Sequence, residues 1–92
     1  MPHQVTVLYF GGLKEALGCA VDRVSLEEGQ SGMSDLYERL CQRHGSLPIL
    51  LTNVRIAVNE EFVEGVGQTL LRSDVVLKEG DVVAFIPPVT GG

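Results

Sequence analysis

No apolar run in this 92-residue chain approaches the ~18 residues that a membrane-spanning helix needs, which sets a helical anchor aside. Met1-Pro2-His3-Gln4 has neither a basic nor an apolar stretch, so no secretory signal is visible and a cytoplasmic location is expected. Basic residues are few: seven Lys and Arg stand against twelve Asp and Glu, a formal net charge of −5. That sign argues against a nucleic-acid partner and suits a basic protein surface better. Histidine is scarce, with only His3 and His44, and Cys19 and Cys41 form no Cys-x-x-Cys pair. No cluster has metal-ligand spacing, so no metal site is expected. Neither histidine can be placed in a carboxylate–His–nucleophile order from spacing, so a freestanding enzyme is the least favoured reading. The cysteines read as reduced, partly buried thiols, and His44 as a charge near a helix end or nothing in particular.

What is present is one small α+β domain. Gln4–Phe10 is rich in β-branched and aromatic residues and reads as a strand. Val5, Val7 and Tyr9 share one face of it; Thr6, Leu8 and Phe10 share the other. Gly11-Gly12 is expected to end that strand, and Leu13–Leu17 to form a helical turn. Ala20–Leu26 suits a second strand. Met33, Leu36, Tyr37, Leu40 and Cys41 recur at helical spacing and make one apolar stripe, which reads as core. Ser34, Asp35, Glu38, Arg39, Gln42 and Arg43 fill the opposite face, and Gly45 is expected as the residue that stops the helix. Val54–Val58 alternates as a strand, Asn59-Glu60-Glu61 turns it, and Phe62-Val63 returns. Ile49–Thr52 resists assignment, Glu64–Gln68 reads as loop, and Thr69–Leu71 as a short ordered piece. Lys78–Asp81 is a turn into the last strand, Val82–Ile86.

One helix with one apolar stripe predicts a single mixed sheet with the helix across one face and the first and last strands together in the middle. The other face keeps Leu8, Phe10 and either Phe85 or Val83, with no second helix to cover it. It is a candidate partner surface.

Pro87 and Pro88 end the pairing of the last strand and favour an extended, projecting start to residues 87–92. Residues 1–86 are thus expected as the folded domain and 87–92 as a flexible tail. Six residues reach at most ~20 Å, at about 3.3–3.6 Å each. Gly91-Gly92 offers the narrowest profile a peptide can have, and a carboxylate that another protein's reagents can approach. Ordering such a tail costs roughly 4–8 kcal/mol of backbone freedom, so docking also needs a surface on the body. A carboxylate is a poor electrophile at neutral pH, so reaction at Gly92 requires prior activation to a mixed anhydride, most plausibly an acyl-adenylate made from ATP. The expected reacting group is the C-terminus itself.

Val7-Leu8-Tyr9-Phe10, Ala57–Val63 and above all Leu77–Gly92, ending Ile-Pro-Pro-Val-Thr-Gly-Gly, resemble the small-subunit family of molybdopterin synthase (MoaD), a branch of the ubiquitin-like sulfur carriers. The resemblance covers nearly the whole chain. It implies a β-grasp (ubiquitin-like) fold and a ubiquitin-activating-enzyme-like adenylyltransferase (MoeB-like) that activates the Gly92 carboxylate with ATP. Sulfur delivery then yields a C-terminal thiocarboxylate. The large synthase subunit (MoaE-like) would receive the tail, and sulfur would pass to cyclic pyranopterin monophosphate to build molybdopterin. Gly92 would carry the reacting group and Gly91 grant access. Pro87, Pro88, Val89 and Thr90 would guide insertion, with Leu8, Phe10 and Phe85 against the partner. No cofactor is held by the chain itself, and a heterotetramer is expected. Two departures stand out: an additional glycine near Glu28–Met33 where a threonine-like cap is expected, and a longer loop over Glu64–Ser73.

Other carrier pathways, namely thiazole synthesis, transfer RNA thiolation or protein conjugation, would use the same Gly92 chemistry. A non-covalent β-grasp interaction module is the reading from a different class. Lys14, Arg39 and Lys78 are candidate contacts to an activating enzyme, though each is more simply a solvated charge.

Overall fold

A computed structural model describes residues 2–45, 54–63 and 75–87. The elements run β1 (His3–Tyr9), α1 (Gly11–Leu17), β2 (Val21–Leu26), α2 (Met33–Arg43), β3 (Arg55–Val58), β4 (Glu61–Phe62) and β5 (Val82–Ile86). The five strands form one sheet in the order β2-β1-β5-β3-β4. β1 and β5 are parallel and adjacent at its centre, and the other pairings are antiparallel. The expected mixed sheet with central first and last strands is what forms. The expectations for Ile49–Thr52, Glu64–Gln68 and Thr69–Leu71 lie outside the described residues, as does the tail from Pro88 onward.

The core sits on one side of the sheet. Val5, Val7 and Tyr9 of β1 meet Met33, Leu36 and Leu40 of α2, and all six are at most 2 % exposed. The stripe was legible because its period matches the helix, and Tyr37 and Cys41 pack at its margin. Leu13 brings α1 into the same core. Leu77, fully buried, is held by its N–H donating to Ser31 O at 2.8 Å.

Two local expectations are corrected, and one holds in position. Gly11-Gly12 does not merely end β1; the two glycines are the first residues of α1, which runs two turns rather than one. Gly45 follows the C-cap directly, at the C′ position expected of it, with its backbone outside the left-handed region. The helix closes at His44, in extended conformation, with its N–H donating to Leu40 O at 2.8 Å. The extra glycine near the start of α2 is its N-terminal cap, Gly32. The Asp35 carboxylate accepts from the Gly32 N–H at 3.0 Å, and Gly32 also bridges to Val76. A side chain there would crowd Asp35 Oδ2, at 3.3 Å from an added Cβ. The missing threonine is replaced by a carboxylate reaching back from the first turn.

Candidate functional site

Residues directly opposite one another in adjacent strands point to the same side of a sheet. Val7 pairs with Val83 and Tyr9 with Phe85, so Val83 and Phe85 belong to the core side. Both are fully buried, and the Phe85 ring stacks on Tyr9 with centroids 5.9 Å apart. The expectation that Phe85 or Val83 would face the open side is therefore wrong. The alternate residues face it instead: Val82, Ala84 and Ile86 line an apolar groove with Leu8 and Phe10. The register carries the groove across β3 and β4, where Ala57 pairs with both Ala84 and Phe62.

This groove encloses about 490 Å³ on the side of the sheet away from α2. Phe10, Val21 and Phe62 are large apolar side chains left 46 %, 48 % and 54 % exposed, and all three belong to this side. Arg55 places its guanidinium 4.2 Å from the Phe62 ring centroid, a cation–π contact that holds one wall in place. Asn59 and Glu60 form the rim at the β3–β4 turn, and both have positive φ, 53° and 71°. A two-residue hairpin loop of that twist fits the strands, and Asn tolerates it better than Glu. Asn59 is fastened to β5: its side-chain oxygen accepts from Val82 N–H and its amide donates to Asp81 Oδ1, each at 2.9 Å. Leu8 and Phe10 are the groove residues that the sequence expectation includes. Ile86, Ala84, Val82, Ala57 and Phe62 fall outside it, although the alternation along Val82–Ile86 was enough to pair them once β1 had been oriented.

The groove runs to the place where the chain leaves the sheet. Pro87 follows β5 directly and lies against the start of α1, where an added Cβ on Gly11 would come within 3.2 Å of Pro87 Cγ. Gly11 has φ +56°, which a side chain would also strain. A glycine at this position thus lets the first helix and the departing chain approach closely. Pro87 is half-buried, and Pro88, Val89, Thr90, Gly91 and Gly92 lie outside the described residues.

A second constellation sits on the core side at one edge. The Tyr9 hydroxyl donates to Asp22 Oδ2 at 2.8 Å, and His44 Nε2 lies 2.7 Å from the same oxygen. Arg43 approaches the other oxygen, Oδ1, at 3.5 Å. Burial opposes ionisation of Asp22, but hydrogen bonds from His44 and Tyr9 and the charges of His44 and Arg43 together hold its pKa below the ordinary carboxylate value. Burial, then the Asp22 contact, pushes the Tyr9 phenol well above its usual range. Cys19 Sγ is 3.9 Å from His44 Nε2. Sequence spacing brought none of these together, and His44 is more than a charge at a helix end.

A mixed five-stranded sheet, a helix across one face and an apolar groove on the other, with the central strand leading into the terminal segment, define a β-grasp, ubiquitin-like protein. The chain belongs to the ThiS family, which it matches over residues 7–92. It is 35% identical to the human molybdopterin synthase sulfur carrier subunit over 89 residues, covering 97% of this chain and 94% of that one. Its fold matches the putative molybdopterin converting factor subunit 1 of Pyrococcus furiosus with a TM-score of 0.73 at 29% identity, covering 95% and 99% of the two chains. A chain in the complex of subunits 1 and 2 of the molybdopterin-converting factor of Helicobacter pylori matches with a TM-score of 0.61 at 26% identity, covering 97% and 99%. Among the described residues, no helix is long and apolar enough to cross a membrane.

Proposed function

We propose that this protein is the sulfur-carrying small subunit of a molybdopterin synthase, and that the Gly92 carboxylate is the group that carries sulfur. The observation that supports this most directly is the apolar groove, continuous with the central strand from which the terminal segment departs. A partner seated there is held by buried apolar area, which offsets the entropy of threading a tail into its active site. The partner in this reading is a large synthase subunit, as in the two-subunit Helicobacter pylori complex.

The chemistry divides cleanly between carrier and partners. A MoeB-like adenylyltransferase joins the Gly92 carboxylate to AMP, releasing pyrophosphate from ATP. A sulfur nucleophile then displaces AMP and leaves the thiocarboxylate. Within the large subunit, sulfur passes to cyclic pyranopterin monophosphate, and the carboxylate is regenerated with an oxygen from water. On this reading the chain holds no cofactor for sulfur transfer and catalyses nothing by itself, works in the cytoplasm, and assembles as part of a heterotetramer. Residues 1–86 deliver, and 87–92 are inserted.

Intact-chain mass spectrometry after incubation with ATP, a sulfur donor and the activating enzyme tests this reading. Replacement of one oxygen by one sulfur at Gly92 is the expected result. An unchanged mass sinks the carrier role and leaves the non-covalent interaction module, which predicts full function after removal of Gly91 and Gly92. Adding pterin precursor and large subunit then separates molybdopterin synthesis from the other thiolation pathways.

A further inference from the structure

We propose that Cys19, Asp22 and His44 form a site for one divalent transition-metal ion of zinc-like character, separate from the sulfur-carrying tail. Cys19 Sγ, an Asp22 carboxylate oxygen and His44 Nε2 all lie within 4.8 Å of one another, and all three residues are half-buried. They come from three places in the chain: the turn after α1, the start of strand β2 and the C-terminal cap of α2. Thiolate, imidazole and carboxylate are the donors that zinc takes, and three protein donors leave a fourth position for water.

The geometry is near what a tetrahedral ion needs. Zinc distances of ~2.3 Å to sulfur and ~2.0–2.2 Å to nitrogen and oxygen place sulfur and nitrogen about 3.6 Å apart, and nitrogen and oxygen about 3.3 Å. Here Cys19 Sγ and His44 Nε2 are 3.9 Å apart, and His44 Nε2 and Asp22 Oδ2 are 2.7 Å apart. The second pair is closer because it is a hydrogen bond. An ion replaces that hydrogen, and the two atoms open by roughly 0.6 Å on those bond lengths. On binding, the Cys19 thiol loses its proton to solvent, His44 binds through Nε2 as the neutral ring with its proton on Nδ1, and no electron is transferred.

The surroundings already orient the donors. The Tyr9 hydroxyl holds Asp22 Oδ2 in place, and its ring meets the His44 ring edge-on at 5.9 Å. Arg43 occupies Oδ1, leaving Oδ2 directed at the other two donors. Partners of this kind fix the direction of a metal-binding carboxylate. The competing description is a hydrogen-bonded ion pair with a bystander thiol.

Cobalt(II) titration of the full chain, reduced and stripped with chelator, distinguishes the two. One equivalent should give a thiolate-to-cobalt charge-transfer band and tetrahedral d–d absorption, and zinc should displace both. Cys19→Ser should abolish the charge-transfer band, His44→Gln should weaken binding at least tenfold, and Cys41→Ser should change neither. No cobalt spectrum from the wild-type chain, or one that survives Cys19→Ser, overturns the site. A zinc-induced shift of the His44 ring nitrogens in the NMR spectrum of the unmutated protein reads the same site without any variant. An unmoved His44 signal at saturating zinc equally overturns it.

Discussion

The two faces of the sheet carry similar residue types and opposite roles. On one, Tyr9 and Phe85 are sealed beneath α2; on the other, Phe10 and Phe62 stand about half exposed. Burial on the first face supplies much of the folding free energy, at roughly 25 cal/mol per Å² of apolar surface. The second face leaves Phe10, Val21 and Phe62 about half in water around one groove, a grouped apolar patch of the kind that marks a binding surface. Period-2 alternation lets one strand serve both: in β5, Val83 and Phe85 hold the fold while Val82, Ala84 and Ile86 stay available. A strand with both faces committed to the core could not do this.

The largest expected effect lies in the terminal diglycine, outside the residues that make either face. Deleting Gly91 and Gly92 should abolish sulfur transfer in the reconstituted synthase while the thermal unfolding midpoint stays unchanged. Next comes the sealed face. Phe85→Ala should cost about 3–5 kcal/mol in chemical denaturation, since it opens a cavity beneath α2. An Ile86→Ala change one residue along should cost clearly less than that. Equal losses at the two positions would mean that the faces are not distinct.

At the edge of the core side, Asp22→Asn should cost about 1–3 kcal/mol near neutral pH, because His44 and Arg43 lose the charge they face. Its pH dependence follows from the lowered Asp22 pKa. The stabilisation is fully present above the unfolded carboxylate value of about 3.9 and is lost as pH falls through the lower folded value. Wild type should therefore show a steeper acid limb than Asp22→Asn in a stability–pH series. On the open face, Leu8→Ala should weaken binding to the large subunit about tenfold, ~1.4 kcal/mol, in calorimetry. Its folding stability should move by less than its binding. The smallest effect is expected at the rim, where Arg55→Ala removes a cation–π contact worth about 0.5–1 kcal/mol.

Much of this architecture could be read from local pattern. β1, the apolar stripe of α2 and the final strand announce themselves because alternation and helical period are properties of contiguous residues. Leu8 and Phe10 were legible as open-face residues for the same reason. Phe85 was misplaced because parity within β5 says only which residues share a face, not which face that is. Gly11 reads locally as a strand stop, yet its role depends on Pro87, a residue 76 positions away that lies against it.

Sequence alone determined the strands, the helix, the core side of β1 and the diglycine end, since each depends on neighbours along the chain. The pairing of Tyr9 with Phe85, and hence the composition of the groove, was settled only when β1 and β5 came together in register. The meeting of Cys19, Asp22 and His44 was decided there too. Residues 22 positions apart share a hydrogen bond only because the end of α2 packs over β2, and no local pattern encodes that approach.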